Sequence, residues 1–289
     1  MYEAFFELRE PAFSLTPDPR FLWPSETHEE GLSALIYAIT RRMGFFLLTG
    51  EVGTGKTTLP RAALERLPAD VDSALIVNTS DHGPLDLLKL IVVDFGISGR
   101  LETKADYIIA LNSFLRDRFR AGLNTVLIID EAQDLSPAAL EEVRLLSNFE
   151  TDCEKLLQIV LTGQPELREK LASRALRSLS QRIALEHHLE PLRARDVGPD
   201  LEHRLAVAGG RYEAVFAPGS EAAFFRFSEG CPRLLNLLAD RVLLSSYSRQ
   251  LRPVPRALVE ARAKEISATR SAGGNSAPAF HRHPDPGDG

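Results

Sequence analysis

The sequence has few cysteines, no long apolar run and no surplus of positive charge. Its two cysteines, Cys153 and Cys231, lie far apart in the chain, which argues against a disulfide framework and favours a reducing compartment. No window approaches the roughly 18 apolar residues of a membrane span, and the first residues lack the order of a signal peptide. The net charge of -6 is not the basic footprint of a nucleic-acid-binding protein. These absences predict a cytoplasmic protein with no membrane span of its own, and they disfavour nucleic acid as a partner.

Apolar patterning divides the chain into two regions and a tail. Residues 44–190 alternate short apolar runs with amphipathic stretches, which predicts a three-layer α/β sandwich with a mostly parallel sheet. From about Pro191 only helical patterns occur, in EAAFFRFSEG, PRLLNLLADRVLLSSYS and VPRALVEARAKEIS, which predicts a small helical domain over residues 191–270. The Gly- and Pro-rich residues 271–289 predict a disordered tail. The strands are predicted at residues 44–48, 74–77, 125–130, 157–162 and 183–189.

An unbroken G-x-x-x-x-G-K-[ST] pattern follows the first predicted strand. Its glycines let backbone N–H groups point at phosphate oxygens, and the following helix adds the positive end of its dipole. We expect Lys56 to reach the β- and γ-phosphates of ATP and the Thr57 hydroxyl to bind Mg²⁺. Pro60, near the fifth residue of this helix, predicts a mild kink. The predicted nucleotide-binding residues here are Gly50, Glu51, Val52, Gly53, Thr54, Gly55, Lys56, Thr57 and Thr58.

A second motif, TVLIIDEAQDLS over residues 125–136, ends a predicted strand with two carboxylates. The strand delivers Asp130 and Glu131 to the carboxyl edge of the sheet, where ligands of open α/β sheets bind. Asp130 is expected to hold Mg²⁺ through its water shell, and Glu131 to polarise the attacking water. A protein that only held the nucleotide would have no use for the second carboxylate. The pair therefore predicts ATP hydrolysis.

With these motifs in place, the chain resembles AAA+ ATPases of the general secretion pathway protein A (ExeA-type) family. The resemblance runs from Met1 to about Ser267 and implies a P-loop AAA+ fold: an α/β nucleotide-binding domain, residues 1–190, followed by a helical lid. Besides the two motifs, it is carried by MYEAFFELREPAFSLTPDPRFLWPSETHEEGLSAL, LLSNFET, LQIVLTGQPELREKL, LSQRIALEHHLEPL and GCPRLLNLLADRVLL.

The resemblance also implies roles for residues that no motif above includes. Thr162 and Gln164 match the first sensor region, where a polar side chain helps to position water near the γ-phosphate. Arg182, with Arg177 as the other candidate, matches the arginine finger that AAA+ proteins present to a neighbouring subunit. Arg233 matches the second sensor, an arginine that projects from the lid onto the phosphates.

In the N-terminal block the resemblance places a loop and a helix beside the adenine, with Pro17, Asp18 and His28 matching the family's pattern. A loop that merely packs against the ATPase core is the other interpretation of these residues.

The family further implies a ring or filament of identical subunits, a hexamer among the forms it could take. ATP and Mg²⁺ would drive a swing of the lid that remodels or assembles a secretion, pilus or exopolysaccharide machine. A membrane-anchored or envelope-system partner would hold the protein at the inner membrane. Longer members continue into a transmembrane helix and a cell-wall-binding domain, whereas this sequence ends in a short tail, so a link to peptidoglycan is not implied. The alternatives are a DNA-associated AAA+ regulator of transposition and a nucleotide-binding scaffold without hydrolysis.

Overall fold

The computed structural model describes residues 1–77 and 82–272. A five-stranded sheet with helices on both faces is followed by a group of helices, as the α/β pattern and the helical pattern predict. The tail predicted over residues 271–289 lies outside the described residues, except that residues 271 and 272 complete the last helix. No described helix combines the length and the apolar character that a membrane span requires.

All five predicted strands are present and form one parallel sheet in the order β2-β3-β4-β1-β5. The central strands β1, β3 and β4 are buried along their whole length, which explains their continuous apolar runs. Strand β2 begins at Val71, before the predicted start at residue 74. The sequence did not indicate this start, because the first residues of the strand are not buried and carry no apolar run. The strands are β1 Phe45–Gly50, β2 Val71–Ile76, β3 Asn124–Ile129, β4 Gln158–Gly163 and β5 Ile183–Leu189.

Successive residues of a strand point to opposite faces of the sheet, so the buried strands present apolar side chains on both faces. Helices cover each of these faces. Leu47 packs in a core with helices α4 to α6, while its neighbour Leu48 packs in a core with α2 and α3. The helices are α1 Tyr2–Phe5, α2 Glu26–Thr40, α3 Thr58–Arg66, α4 Pro84–Asp94, α5 Lys104–Arg120, α6 Pro137–Leu146, α7 Pro165–Leu171, α8 Arg177–Ser180, α9 Ala194–Val207, α10 Tyr212–Val215, α11 Glu221–Ser228, α12 Pro232–Ser248 and α13 Arg256–Ala272.

Helices α9 to α13, called the lid below, share a third apolar core with the N-terminal segment. Phe6 and Phe13 are almost fully buried there, together with Phe216 and Phe224 of the lid. The segment then crosses to α2, which packs on α3 and β5. The N-terminal segment thus bridges the lid and the α/β region, and the boundary at residue 190 stays a prediction.

In the described part of the chain, two prolines lie beyond the first residue of a helix. Pro60 is the third residue of α3, within the first turn, where a missing N–H is tolerated; α3 continues to Arg66 as one helix. Helix α9 has no counterpart among the helical patterns of the sequence, because Gly198 and Pro199 interrupt the pattern.

Candidate functional site

The two sequence motifs meet at the carboxyl edge of the parallel sheet. The phosphate loop, residues 50–57, begins at the end of β1, Asp130 and Glu131 follow β3, and Gln164 follows β4. Strand β4 lies between β1 and β3, so these three segments end side by side. This arrangement is the one in which open α/β sheets bind their ligands.

The carbonyl groups of the phosphate loop accept hydrogen bonds from within the loop and from its neighbours. Glu51 O accepts from the Thr54 hydroxyl at 2.8 Å, and Gly53 O accepts from the backbone N–H of Arg233 at 3.2 Å. Thr54 O accepts from the His28 ring at 3.0 Å. Positive φ angles of 84° and 108° at Gly53 and Gly55 make this turn possible. Within the described residues the N–H groups of Gly53 and Gly55 have no acceptor, so the loop presents an anion-binding nest.

Lys56 is buried in this loop and bends back over it. Its Nζ donates to Glu51 O at 2.9 Å. Burial holds the pKa of Lys56 below its ordinary value, while the carboxylates of Glu131 and Asp130 act in the opposite direction. Lys56 and Glu131 line the same cavity as the glycines of the nest.

Asp130 is held rigidly at the end of β3. Its Oδ1 accepts from the Thr162 hydroxyl and from the backbone N–H of Glu131, the latter at 3.0 Å. Thr162, predicted as a sensor of the γ-phosphate, is fully buried in β4 and contacts the carboxylate of Asp130. Thr57 immediately precedes α3, and its hydroxyl does not cap that helix. Carboxylate and hydroxyl oxygens are ligands that suit Mg²⁺, so the residues present fit the ion.

Glu131 adopts a left-handed backbone conformation, with φ 50° and ψ 44°. Such a conformation costs a non-glycine residue energy and is found often at functional sites. Gln133 donates from Nε2 to Glu131 Oε2 at 2.7 Å, and its Oε1 accepts from the backbone N–H of Gln164 at 3.1 Å. A Cβ atom on Gly163 would lie 2.7 Å from Gln133 Oε1, so only glycine leaves room for this bridge.

The sequence analysis did not identify Gln133. It lies in the short 3-10 helix Ala132–Asp134, where neither strand nor helix periodicity marks it. Its position two residues after Glu131 is the only signal, and that signal matters only once β4 is known to lie beside β3.

The lid contacts the phosphate loop directly. Arg233 donates its backbone N–H to Gly53, and Cys231 Sγ lies 3.4 Å from Val52 O. A Cβ atom on Gly53 would lie 2.6 Å from Arg233 Cβ. The Arg233 side chain, predicted as the second sensor, is exposed and lines the cavity above the loop.

The N-terminal block supports the loop from the other side through His28. The His28 ring is 2% exposed; its Nε2 donates to Thr54 O, and the Ser25 hydroxyl donates to its Nδ1 at 2.6 Å. Burial lowers the pKa of His28. Pro17 and Asp18 line the cavity, and the Asp18 carboxylate also caps a short helix by accepting from Arg20 N.

A cavity of about 710 Å³ lies between the phosphate loop, the N-terminal segment and the lid. This volume is typical of sites for small organic ligands. Lys56, Thr57 and Glu131 line one part of the cavity, and Asp200 and Arg204 of the lid line another. The site can therefore enclose a nucleotide with its phosphates at the loop.

The two candidate finger arginines lie away from this cavity. Arg182 precedes β5 at the sheet edge opposite the loop, since Ile183 pairs with Phe45. Its Nη1 donates to Ser147 Oγ at 2.5 Å and to Asn148 Oδ1 at 2.7 Å. The structure thus ties Arg182 to the end of α6.

Arg177 begins α8 and is exposed. Within the described residues its guanidinium has no hydrogen-bond or ion-pair partner. Neither arginine lines the cavity that contains the phosphate loop of its own chain.

Comparison with known proteins adds three findings. The AAA domain family model matches residues 39–171. General secretion pathway protein A of Aeromonas hydrophila is 42% identical over 274 residues, which cover 94% of this chain and 50% of that protein. The chain thus spans about half the length of this relative.

Among solved structures, ORC2 of Aeropyrum pernix, in ADPNP–ADP complexes, superimposes with a TM-score of 0.66 at 15% identity over 90% of this chain and 80% of the other. Cdc6p of Pyrobaculum aerophilum gives 0.67 at 17% identity, over 86% and 71%. At these identities the likeness extends to the fold alone.

Proposed function

We propose that this chain, which belongs to the AAA+ ATPase family of general secretion pathway protein A, hydrolyses ATP to ADP and phosphate with Mg²⁺. The observation that carries the proposal is the position of Asp130 and Glu131 at the end of β3, where Glu131 lines the same cavity as the buried Lys56. Nucleotide binding needs the loop and the metal ligand, whereas the second carboxylate is useful only to hydrolysis.

Each residue has one task in this mechanism. The nest and Lys56 bind the phosphates, and the Thr57 and Asp130 oxygens would hold Mg²⁺, which neutralises charge on the phosphates when bound. Glu131 accepts a proton from, or polarises, the attacking water, and Gln133 holds its carboxylate at one oxygen. Arg233 lines the same cavity and would bind phosphate from the lid.

The active unit is an oligomer in this proposal. Arg177 and Arg182 do not approach their own phosphate loop, so a finger arginine would have to reach the loop of a neighbouring subunit. A guanidinium there would stabilise the spread negative charge of the transition state. ATPase activity per subunit should accordingly rise with protein concentration.

The lid is the element that would transmit the nucleotide state. Its bonds to the loop run from Arg233 N to Gly53 O and from Cys231 to Val52 O, so movement of the loop is felt at the start of α12. We propose that this movement remodels or assembles an envelope-associated machine, reached through a membrane-anchored partner. Support comes from the relative's role in general secretion, as its name states.

The test is phosphate release by Glu131→Gln and Lys56→Ala, with ATP binding measured beside it. Glu131→Gln should bind ATP like the wild type and lose hydrolysis, because it keeps the loop and loses the base. Lys56→Ala should lose both. Normal hydrolysis by Glu131→Gln would refute the catalytic assignment, and a wild type that binds no ATP would refute the function.

A further inference from the structure

A buried ion pair of the lid lines the nucleotide cavity. Asp200 and Arg204 lie one turn apart on α9 and are 2% and 8% exposed. Arg204 Nε donates to the two Asp200 carboxylate oxygens at 3.0 and 3.2 Å. Both residues are part of the cavity wall. Neither belongs to the motifs that bind phosphate or metal.

The guanidinium of Arg204 has donors to spare. Its Nη1 and Nη2 groups have no hydrogen-bond partner in residues 1–77 and 82–272, although the side chain is almost fully buried. These two nitrogens are not among the inaccessible side-chain atoms, so they keep access to the cavity that Arg204 lines. Asp200 fixes the plane of the guanidinium through Nε and leaves the Nη groups for a ligand in the cavity.

The position of α9 indicates which part of a nucleotide these donors meet. His203, next to Arg204, donates from Nε2 to Arg20 O at 3.0 Å, and its ring lies 5.9 Å from that of Trp23. This wall of the cavity is therefore formed by the lid and the N-terminal segment. The phosphates already have the nest, Lys56 and Arg233, so the part of the ligand left for this wall is the nucleoside.

We propose that Arg204 donates from its Nη groups to the nucleoside part of ATP, at a purine ring nitrogen or a ribose oxygen. Asp200 acts as the positioning residue that holds the guanidinium in place. The site thereby selects purine nucleoside triphosphates over phosphate chains that lack a nucleoside. This inference rests on the proposed function, because it assumes that the cavity binds ATP.

The test compares ATP with inorganic tripolyphosphate, both with Mg²⁺, by calorimetry on the full chain. Arg204→Lys keeps the charge but loses the planar fork. The double variant Asp200→Asn with Arg204→Met removes both charges, so that no single charge is left buried. Arg195→Met is the control, since Arg195 lies on the same helix but is exposed and pairs with Glu26. Thermal unfolding identifies any variant that does not fold.

We expect both Arg204 variants to lose about 10- to 100-fold in ATP affinity and to bind tripolyphosphate like the wild type. Arg195→Met should match the wild type with both ligands. Deaza-ATP analogues lacking N1, N3 or N7, and 2′-deoxy-ATP, then locate the contact. The analogue without the contacted acceptor should bind the wild type more weakly than ATP does. Arg204→Lys, which has already lost the contact, should bind that analogue and ATP equally.

Two results would overturn the inference: equal losses for ATP and tripolyphosphate, or no loss for ATP. A wild type that binds tripolyphosphate but not ATP would instead refute the proposed function. If Arg204→Lys fails to fold, the double variant decides between these outcomes.

Discussion

Gln133 holds Glu131 by a hydrogen bond of 2.7 Å from its side-chain amide to one carboxylate oxygen. The amide can face only one way, because its Oε1 accepts from the backbone N–H of Gln164. The end of β4 thereby determines where the carboxylate after β3 points. A residue of the second motif to which the sequence analysis assigned no role thus positions the proposed general base.

Shortening this side chain should lower turnover. Gln133→Asn cannot span from Gln164 to Glu131, so we expect kcat to fall about 10-fold or more, with KM for ATP nearly unchanged. Gln250→Asn is the matched control, since Gln250 is exposed in the lid and, among the described residues, its side chain bonds only Tyr247. A parallel rise in KM would show that Gln133 supports binding instead.

Docking of the lid on the phosphate loop should be sensitive to one methyl group. Gly53→Ala would place a Cβ 2.6 Å from Arg233 Cβ and force φ 84° on alanine. Gly122→Ala imposes a similar φ of 79°, and apart from its chain neighbours no atom of residues 1–77 and 82–272 lies within 4 Å of the added Cβ, so it measures the backbone strain alone, about 1 kcal/mol. We expect Gly53→Ala to lose more stability than this control and to lose ATP affinity, in thermal unfolding and calorimetry. Equal effects would mean that the lid contact contributes nothing.

Acid should destabilise the fold through His28. Burial lowers the pKa of His28 from 6.5, so the unfolded chain binds a proton at a higher pH than the folded chain does. The stability from neutral His28 is present above pH 6.5 and is lost as the pH falls through the lower, folded value. His188, whose pKa burial also lowers, adds a change of the same sign.

The measurement is the free energy of unfolding between pH 7.5 and pH 5. His28→Gln, which can still donate to Thr54 O, should flatten the pH dependence relative to the wild type. His203→Gln, on the lid surface, is the control. An unchanged slope in His28→Gln would contradict the prediction.

Substitution of the two candidate finger arginines should affect the stability of the fold differently. Arg182→Ala removes hydrogen bonds to Ser147 and Asn148 and should lower the unfolding temperature, whereas Arg177→Ala breaks none and should leave it unchanged. The variant that loses the finger should lose about 10³-fold or more in kcat at high protein concentration.

An experiment that mixes two inactive variants identifies the finger arginine, and its result does not depend on differences in their stability. A subunit that lacks the finger still has a complete phosphate loop, and Glu131→Gln still presents its arginine. We expect a mixture of the two inactive proteins to regain activity, in a phosphate-release assay. Mixtures that stay inactive at all ratios would argue against a finger supplied in trans.

The sequence predicted the nucleotide site where the evidence was local. Lys56, Thr57 and Asp130 lie at or beyond the ends of apolar runs that predict buried strands, and parallel strands bring their carboxyl ends together. Gln133 and Arg204 were missed for different reasons. The role of Gln133 depends on the position of β4 beside β3. Arg204 lies on a helix whose apolar periodicity is interrupted by Gly198 and Pro199.

By itself the sequence determined the strand and helix alternation, the phosphate-binding turn and the acidic pair, because each depends on residues close together in the chain. Only the tertiary structure decided that Arg233 docks on Gly53, that His28 supports Thr54 and that the N-terminal aromatics join the lid core. These contacts join residues far apart in the chain. Their partners are selected by packing and hydrogen-bond satisfaction across the whole fold, which no local pattern records.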